Sequence, residues 1–244
     1  MSPQITLATA LRVLSQLRRD PRTIAMLVIV PCVLVALLRY VFNGQPETFQ
    51  RVGVPMVGIF PLVSMFLVTS IAMLRERTSG TLERLMTMPL AKLDLLAGYA
   101  LAFAVVAVIQ AATVSGVAIG LLDLHVAGST ALVVALAVLN ALLGMALGLF
   151  LSAFAATEFQ AVQFMPAFLL PQLLLCGILA PRDSMSDALR WLSDVLPMTY
   201  AYDALSRVAA GDGLGEVAVD VAVLVAAALA SLALGAATLR RRTA

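Results

Sequence analysis

Six stretches of this chain each run for close to twenty residues or more with almost no charge, and that property constrains its folding more than any other. A helix crossing the ~30 Å hydrocarbon core of a bilayer needs about 20 consecutive apolar residues. The stretches lie at about 24–42, 52–74, 93–122, 130–154, 161–180 and 217–239. In hydrocarbon every backbone N–H and C=O must be paired within the protein, so each stretch is expected as a helix. The expected fold is an all-α polytopic membrane protein with six transmembrane helices. The third stretch is longer than a perpendicular crossing requires, so its first turns lie in the interface or the helix tilts. Pro166 and Pro171 interrupt the fifth stretch, and Pro181 stops it.

Composition removes the other classes. The chain is 61% hydrophobic and 12% charged, with a mean hydropathy of +1.00. A soluble domain carries about 25% charged residues, so neither a water-soluble globule nor a disordered chain fits. Cys32 and Cys176 lie inside apolar runs, where a free thiol behaves as a small hydrophobe. With His125 as the one histidine, no metal site is expected. No glycine-rich phosphate loop with a following Lys and Ser or Thr occurs, so the chain binds no ATP through that motif. Ser115-Gly116 is the nearest approach to an intramembrane serine nucleophile, but His125 falls outside the span, and no catalytic residue is assigned. A net charge of +2 gives no reason to expect nucleic acid.

Where the cations fall sets the orientation, because loops rich in Lys and Arg stay in the cytoplasm. With the N-terminus inside, Arg12, Arg18, Arg19, Arg22, Arg75, Arg77, Arg84, Lys92, Arg240, Arg241 and Arg242 are cytoplasmic. Arg39, Arg51, Arg182, Arg190 and Arg207 fall outside, among Asp183, Asp187, Asp194, Asp203 and Asp212. Both termini are therefore expected in the cytoplasm, with residues 240–244 as a basic tail. The basic start before the first span reads as an uncleaved signal anchor.

Three connecting segments carry information. Residues 1–23 hold a helical repeat of Ile5, Leu7, Ala8, Leu11, Leu14 and Leu17 against polar and arginine positions, closed by Asp20-Pro21. Such a helix lies along an anionic lipid surface. After the second span, Arg75 to Pro89 is expected as a loop holding a short helix between Gly80 and Pro89, with Ser79 or Thr81 as its N-cap. Leu82, Leu85 and Met86 form its apolar face beside Glu83 and Arg84, the form of a rod that docks into a cleft on a partner. Between the fifth and sixth spans, 181–215 reads as two short helices that re-enter the outer membrane face. Asp183 or Ser184 caps the first, and Trp191, Tyr200 and Tyr202 lie at the interface.

Within the spans, Thr69, Gln110, Thr113, Asn140, Gln163 and Gln172 are candidates for a substrate path, although most polar span residues serve as interhelical hydrogen bonds. Arg39 can snorkel outward. Asp94, Glu216 and Asp220 lie at span ends, and Asp220 keeps an ion-coupled carrier open. Gly116 with Gly120, and Gly144 with Gly148, have the small-residue spacing of close helix packing, within the chain or between copies.

The run Leu11-Arg12-Val13-Leu14-Ser15-Gln16-Leu17-Arg18-Arg19-Asp20-Pro21 resembles the start of ATP-binding-cassette type-2 permeases. The stretch Arg75-Glu76-Arg77, then Ser79-Gly80-Thr81-Leu82-Glu83-Arg84-Leu85 and Met88-Pro89, resembles that family's most recognisable segment. The resemblance implies a half-pore that dimerises with a second copy or a paralogue and docks on a separate ATPase subunit, which would hold the ATP and Mg. It makes the first helix a connecting helix and Gly80 to Pro89 a coupling helix. Arg75, Glu76, Gly80, Thr81, Leu82, Glu83, Arg84, Leu85 and Pro89 then become coupling residues, with Glu158 a second contact. It further implies export across a bacterial inner membrane, closest in style to daunorubicin-resistance-like drug and lipid exporters. Polysaccharide exporters are the alternative, though only 6% of the chain is aromatic and sugar conduits favour stacking rings. A membrane anchor or assembly factor that moves nothing shares the hydropathy but has no use for a coupling loop.

Overall fold

In a computed structural model, residues 2–80 and 92–238 are described, and they form helices joined by short turns, with no strand among them. The helices are α1 (Pro3–Arg18), α2 (Pro21–Val41), α3 (Pro46–Thr78), α4 (Lys92–Leu121), α5 (Thr130–Leu151), α6 (Glu158–Leu175), α7 (Asp187–Val195), α8 (Pro197–Ala210) and α9 (Ala218–Thr238).

Local chemistry sets their ends. Asp20-Pro21 follows the end of the first helix at Arg18, as expected, and also opens the second. Pro21 stands at the start of α2, where its missing N–H costs nothing, and Asp20 is the N-cap, accepting from the Thr23 backbone N–H at 3.2 Å. α3 takes in both flanks of the second expected span. Its 33 residues run through Pro55 and Pro61 without a break and reach about 50 Å at 1.5 Å per residue. Arg75 to Thr78 therefore belong to this helix and not to a loop. Ser79 is the C-cap of α3, and Gly80, at φ +70°, takes the left-handed conformation that ends a helix. Thr81, Leu82, Glu83, Arg84, Leu85 and Pro89 lie outside the described residues, as do residues 240–244.

α6 starts earlier than expected and ends at Leu175, short of Ala180. Its start is a capping arrangement: Thr157 Oγ1 accepts from the Gln160 N–H, and the Gln160 side chain reaches back to the Ala156 N–H at 2.8 Å. The N-cap of α7 is Ser186; Asp183 and Ser184 instead form a 3-10 turn.

Five helical segments among the described residues are long and apolar enough to cross a membrane: α2, α3, α4, α5 with the turn after it, and α9. α6 is not one of them, since its 18 residues include Glu158, Gln160, Gln163 and Gln172. It nevertheless starts beside Arg75 at the end of α3 and finishes beside α7, where the Ser193 hydroxyl donates to the Leu175 carbonyl.

α3 is the axis of the bundle, and α5 lies along it more extensively than any other pair of helices packs. Glycines make that approach possible. A Cβ at Gly144 would land on the Leu62 carbonyl, and one at Gly148 on the Phe66 carbonyl and the Thr69 hydroxyl. Gly116 and Gly120 have the same spacing, but a Cβ at either would meet nothing within 4 Å among the described residues. Gly98 of α4 does similar work for α1, with Thr6 and Thr9 lying against it. α2 and α9 lie on the periphery, each burying only 17% of its apolar window. α8 is embedded, with Met198, Ala201, Ala204, Leu205 and Val208 buried against the bundle. Trp191 on α7 is exposed.

Replacing Gly144 by Leu should cost at least about 2 kcal/mol, because the obstacle is backbone that cannot step aside. Gly116→Leu should stay within about 0.5 kcal/mol, as for a side chain that meets nothing. Thermal unfolding of the two detergent-purified variants checks the contrast.

Candidate functional site at the arginine-rich end

The start of α1, the end of α3, the start of α4 and the start of α6 meet at one end of the bundle, and their charged side chains pair across the chain. Arg12 of α1 donates to Glu76 Oε1 at 3.2 Å and to the Tyr99 hydroxyl. Its guanidinium also lies 5.5 Å from the centre of the Tyr99 ring. The start of α1 is tied down as well, since the Ser2 backbone N–H donates to the buried Asp94 carboxylate at 3.0 Å.

Arg75, next along α3, points the other way. Its Nε and Nη2 donate to the two oxygens of Glu158 at 2.8 and 3.2 Å, a two-pronged pair 83 residues apart in sequence. Both partners are more than half exposed, so solvent screening leaves the pair about 1 kcal/mol of stability at most. It fixes the end of α3 relative to the start of α6. The Arg75 hydrogen bond holds the Glu158 carboxyl below the usual carboxylate range, with burial opposing. A carboxylate lowered in this way contributes above its unfolded pKa, and the contribution is lost as pH falls through the folded value.

Of the expected coupling residues, the structure thus brings Arg75, Glu76 and Glu158 to one end, with Gly80 terminating the helix that carries two of them. Arg12, Tyr99 and Gly98 complete the arrangement. Sequence reading did not pair them because the contacts span 64 and 87 residues, and nothing local sets Gly98 apart from Gly116 and Gly120 in the same helix.

The six candidate path residues are not brought together. Thr69 lies at the crossing of α3 and α5, donating to the carbonyl of Met65 at 2.6 Å and approaching that of Met145 at 3.3 Å. Thr113 bonds back to Ile109 in its own helix. Asn140 is fully buried near Gly58, with neither amide atom hydrogen-bonded. Gln163 is exposed, and Gln172 is buried, donating to the Phe168 carbonyl at 3.1 Å. Gln110 has a structural task. Pro31 has no N–H to offer the Leu27 carbonyl four residues before it, and the Gln110 side chain donates to that carbonyl at 2.7 Å.

At the opposite end the arginines are matched by acids. Arg182 pairs with Asp194 and Asp203, Arg190 with Asp183, and Arg207 with Asp212 and Asp220. Burial pushes the Asp203 carboxyl up, while Arg182 opposes it. Arg39 sits over the Phe49 ring at 5.5 Å. No group of three or more His, Cys, Asp or Glu residues suited to a metal ion occurs among the described residues.

Residues 4–209 match the family model described as ABC-2 type transporter. The chain is 29% identical over 153 residues to the probable multidrug ABC transporter permease YbhR of Escherichia coli K12, covering 63% of this chain and 42% of that protein. It is 29% identical over 184 residues to ABC transporter G family member 20 of Dictyostelium discoideum, covering 75% of this chain and 25% of that one. The chain thus spans less than half the length of these relatives.

Gln110→Leu should destabilise the bundle by about 1–2 kcal/mol by leaving the Leu27 carbonyl without a donor in an apolar setting. Adding Pro31→Ala restores a backbone N–H four residues on, so the double variant should recover most of the loss. Thermal unfolding of the two variants against the parent measures both effects.

Proposed function

The chain belongs to the ABC-2 type transporter family and is a multi-pass membrane protein, and from that premise we propose that it is the membrane-spanning permease subunit of an ATP-driven exporter. The observation that carries the reading is the Arg75–Glu158 pair. It joins the end of α3, from which the coupling segment departs, to the start of α6, the second expected contact. A push at either point is shared by both.

On this reading an ATPase supplied by a separate subunit docks at the arginine-rich end, which faces the cytoplasm of a bacterial cell. ATP brings two ATPase subunits together, and their permeases, a second copy or a paralogue, change their relative tilt. For nucleotide to drive the change it must favour one arrangement over the other. The chain itself is non-catalytic. Its cargo is a hydrophobic or amphiphilic molecule, a drug, antibiotic or lipid, in keeping with the word multidrug in the name of the bacterial relative. The ion-coupled alternative gains nothing from Asp220, whose carboxylate lies 3.5 Å from Arg207 and answers that charge.

The test is purification of the tagged chain in mild detergent from its host, with mass spectrometry of what accompanies it. A stoichiometric ATPase subunit is expected. It should be lost or weakened at least tenfold in Arg75→Glu and in Glu158→Arg, and regained in the exchanged double variant. A chain that emerges alone, where other complexes survive the same detergent, overturns the proposal.

A further inference from the structure

A cavity of about 1000 Å³ lies between α1, α2, α3 and α4 at the arginine-rich end, and none of the six polar span residues weighed for a substrate path lines it. Its character changes along its length. Gln16, Asp20, Thr23, Arg75 and Thr78 line the polar end, while Leu27, Val30, Leu67, Val68 and Phe103 line the deep end. Along α2 the distance from Asp20 to Val30 is about 15 Å at 1.5 Å per residue. That is about half the ~30 Å hydrocarbon thickness, the depth of one leaflet. Met26 and Val30, which line the cavity, are 67% and 43% exposed, so the cavity opens sideways toward the surrounding lipid.

The lining carries three ionic groups, Asp20, Glu76 and Arg75. Arg75 is committed through both prongs to Glu158. Asp20 accepts from the backbone and hydroxyl of Thr23, which are neutral donors, and Arg75 acts on it through space without an ion pair between the two. Glu76 is only 9% exposed; its Oε1 takes Arg12, while Oε2 is buried and has no hydrogen-bond partner. Tyr99, whose ring already faces Arg12, lines the cavity too, and Phe103 deeper in offers an aromatic face that attracts cations. A buried carboxylate oxygen without a donor calls for one, and a positively charged donor meets it best.

We propose that this cavity binds amphiphiles with a cationic amine head, held between Asp20 and Glu76, and an apolar body about 15 Å long that enters past Met26 and Val30. An anionic head would face two carboxylates and an arginine already taken. An uncharged alcohol could offer one hydrogen bond to Glu76 Oε2 but no charge to Asp20. The site stands whether or not the bound molecule is exported, so its test is one of binding and does not depend on the ATPase.

The probe is a dodecylamine carrying a photoreactive diazirine on its chain, titrated onto the full chain in phosphatidylcholine nanodiscs, with labelled peptides identified by mass spectrometry. Saturable labelling is expected on peptides from Pro21–Val41 and Pro46–Thr78, with the matched dodecyl sulfate and dodecanol probes at least tenfold weaker. Glu76→Gln should raise the half-saturating concentration at least tenfold. Because that change can loosen α1, two gentler variants carry the test as well. Asp20→Asn keeps an N-cap residue and should weaken the amine severalfold. Val30→Trp, at a half-exposed position, fills the deep end and should abolish saturation. The proposal is overturned if amine labelling rises without saturating, if the sulfate probe binds as well as the amine, or if Asp20→Asn and Val30→Trp both label as the parent does.

Discussion

Two carbonyl groups of α3, those of Leu62 and Phe66, sit where α5 has no side chains, and the rest of the bundle is arranged around that crossing. In lipid, helices gain little by hiding apolar surface from one another, because the surrounding tails are equally apolar. Close contact of the backbones themselves is what remains, and glycine at 144 and 148 permits it. The Thr69 hydroxyl lies against Gly148 at this crossing, linking the two helices where no bulkier residue fits. With α3 and α5 joined along their lengths, the outer end receives α8 and the arginine-rich end receives α1.

Polar side chains inside the bundle mostly bond back within their own helices, as Thr69, Thr113 and Gln172 do, while Gln110 acts as a repair. A proline within a membrane helix strips one carbonyl of its donor, and hydrocarbon offers no water to replace it. Gln110 performs that replacement for Pro31 from a neighbouring helix. At the ends the logic is electrostatic: Arg12 with Glu76, Arg75 with Glu158, and Arg182 with two aspartates each fasten segments that are distant in sequence. Arg12 and Arg75 thus close helix ends against each other.

How much of this the sequence discloses follows from the range of the physics involved. A span is a local property, so the positions of α2 to α5 and α9 could be read from runs of apolar residues. The ends could be read only in part, because they depend on single caps: Asp20 caps the second helix as well as following the first, and α3 runs on through Arg75 to Thr78. α6 reads ambiguously because its glutamines dilute its hydropathy. The two glycine pairs are indistinguishable as spacing, yet Gly144 and Gly148 touch a neighbouring backbone while Gly116 and Gly120 meet none among the described residues. Only the neighbour makes the difference, and nothing in the run of residues around either pair identifies it. The same holds for the charged cluster at the arginine-rich end, in which Arg75 and Glu158 lie 83 residues apart.

α2 is fastened to the bundle mainly along one side. Its buried residues, Leu27, Pro31 and Val35, follow one another at intervals of four, with the Gln110 bond at the first of them, and Cys32 and Leu38 pack partly beside them. A rod held mainly on one side gives way more readily than one packed all round. Because α2 is also a wall of the cavity, the width of that chamber is set by its most compliant side. Guests of different girth can then be admitted by turning one helix while the α3–α5 crossing stays as it is.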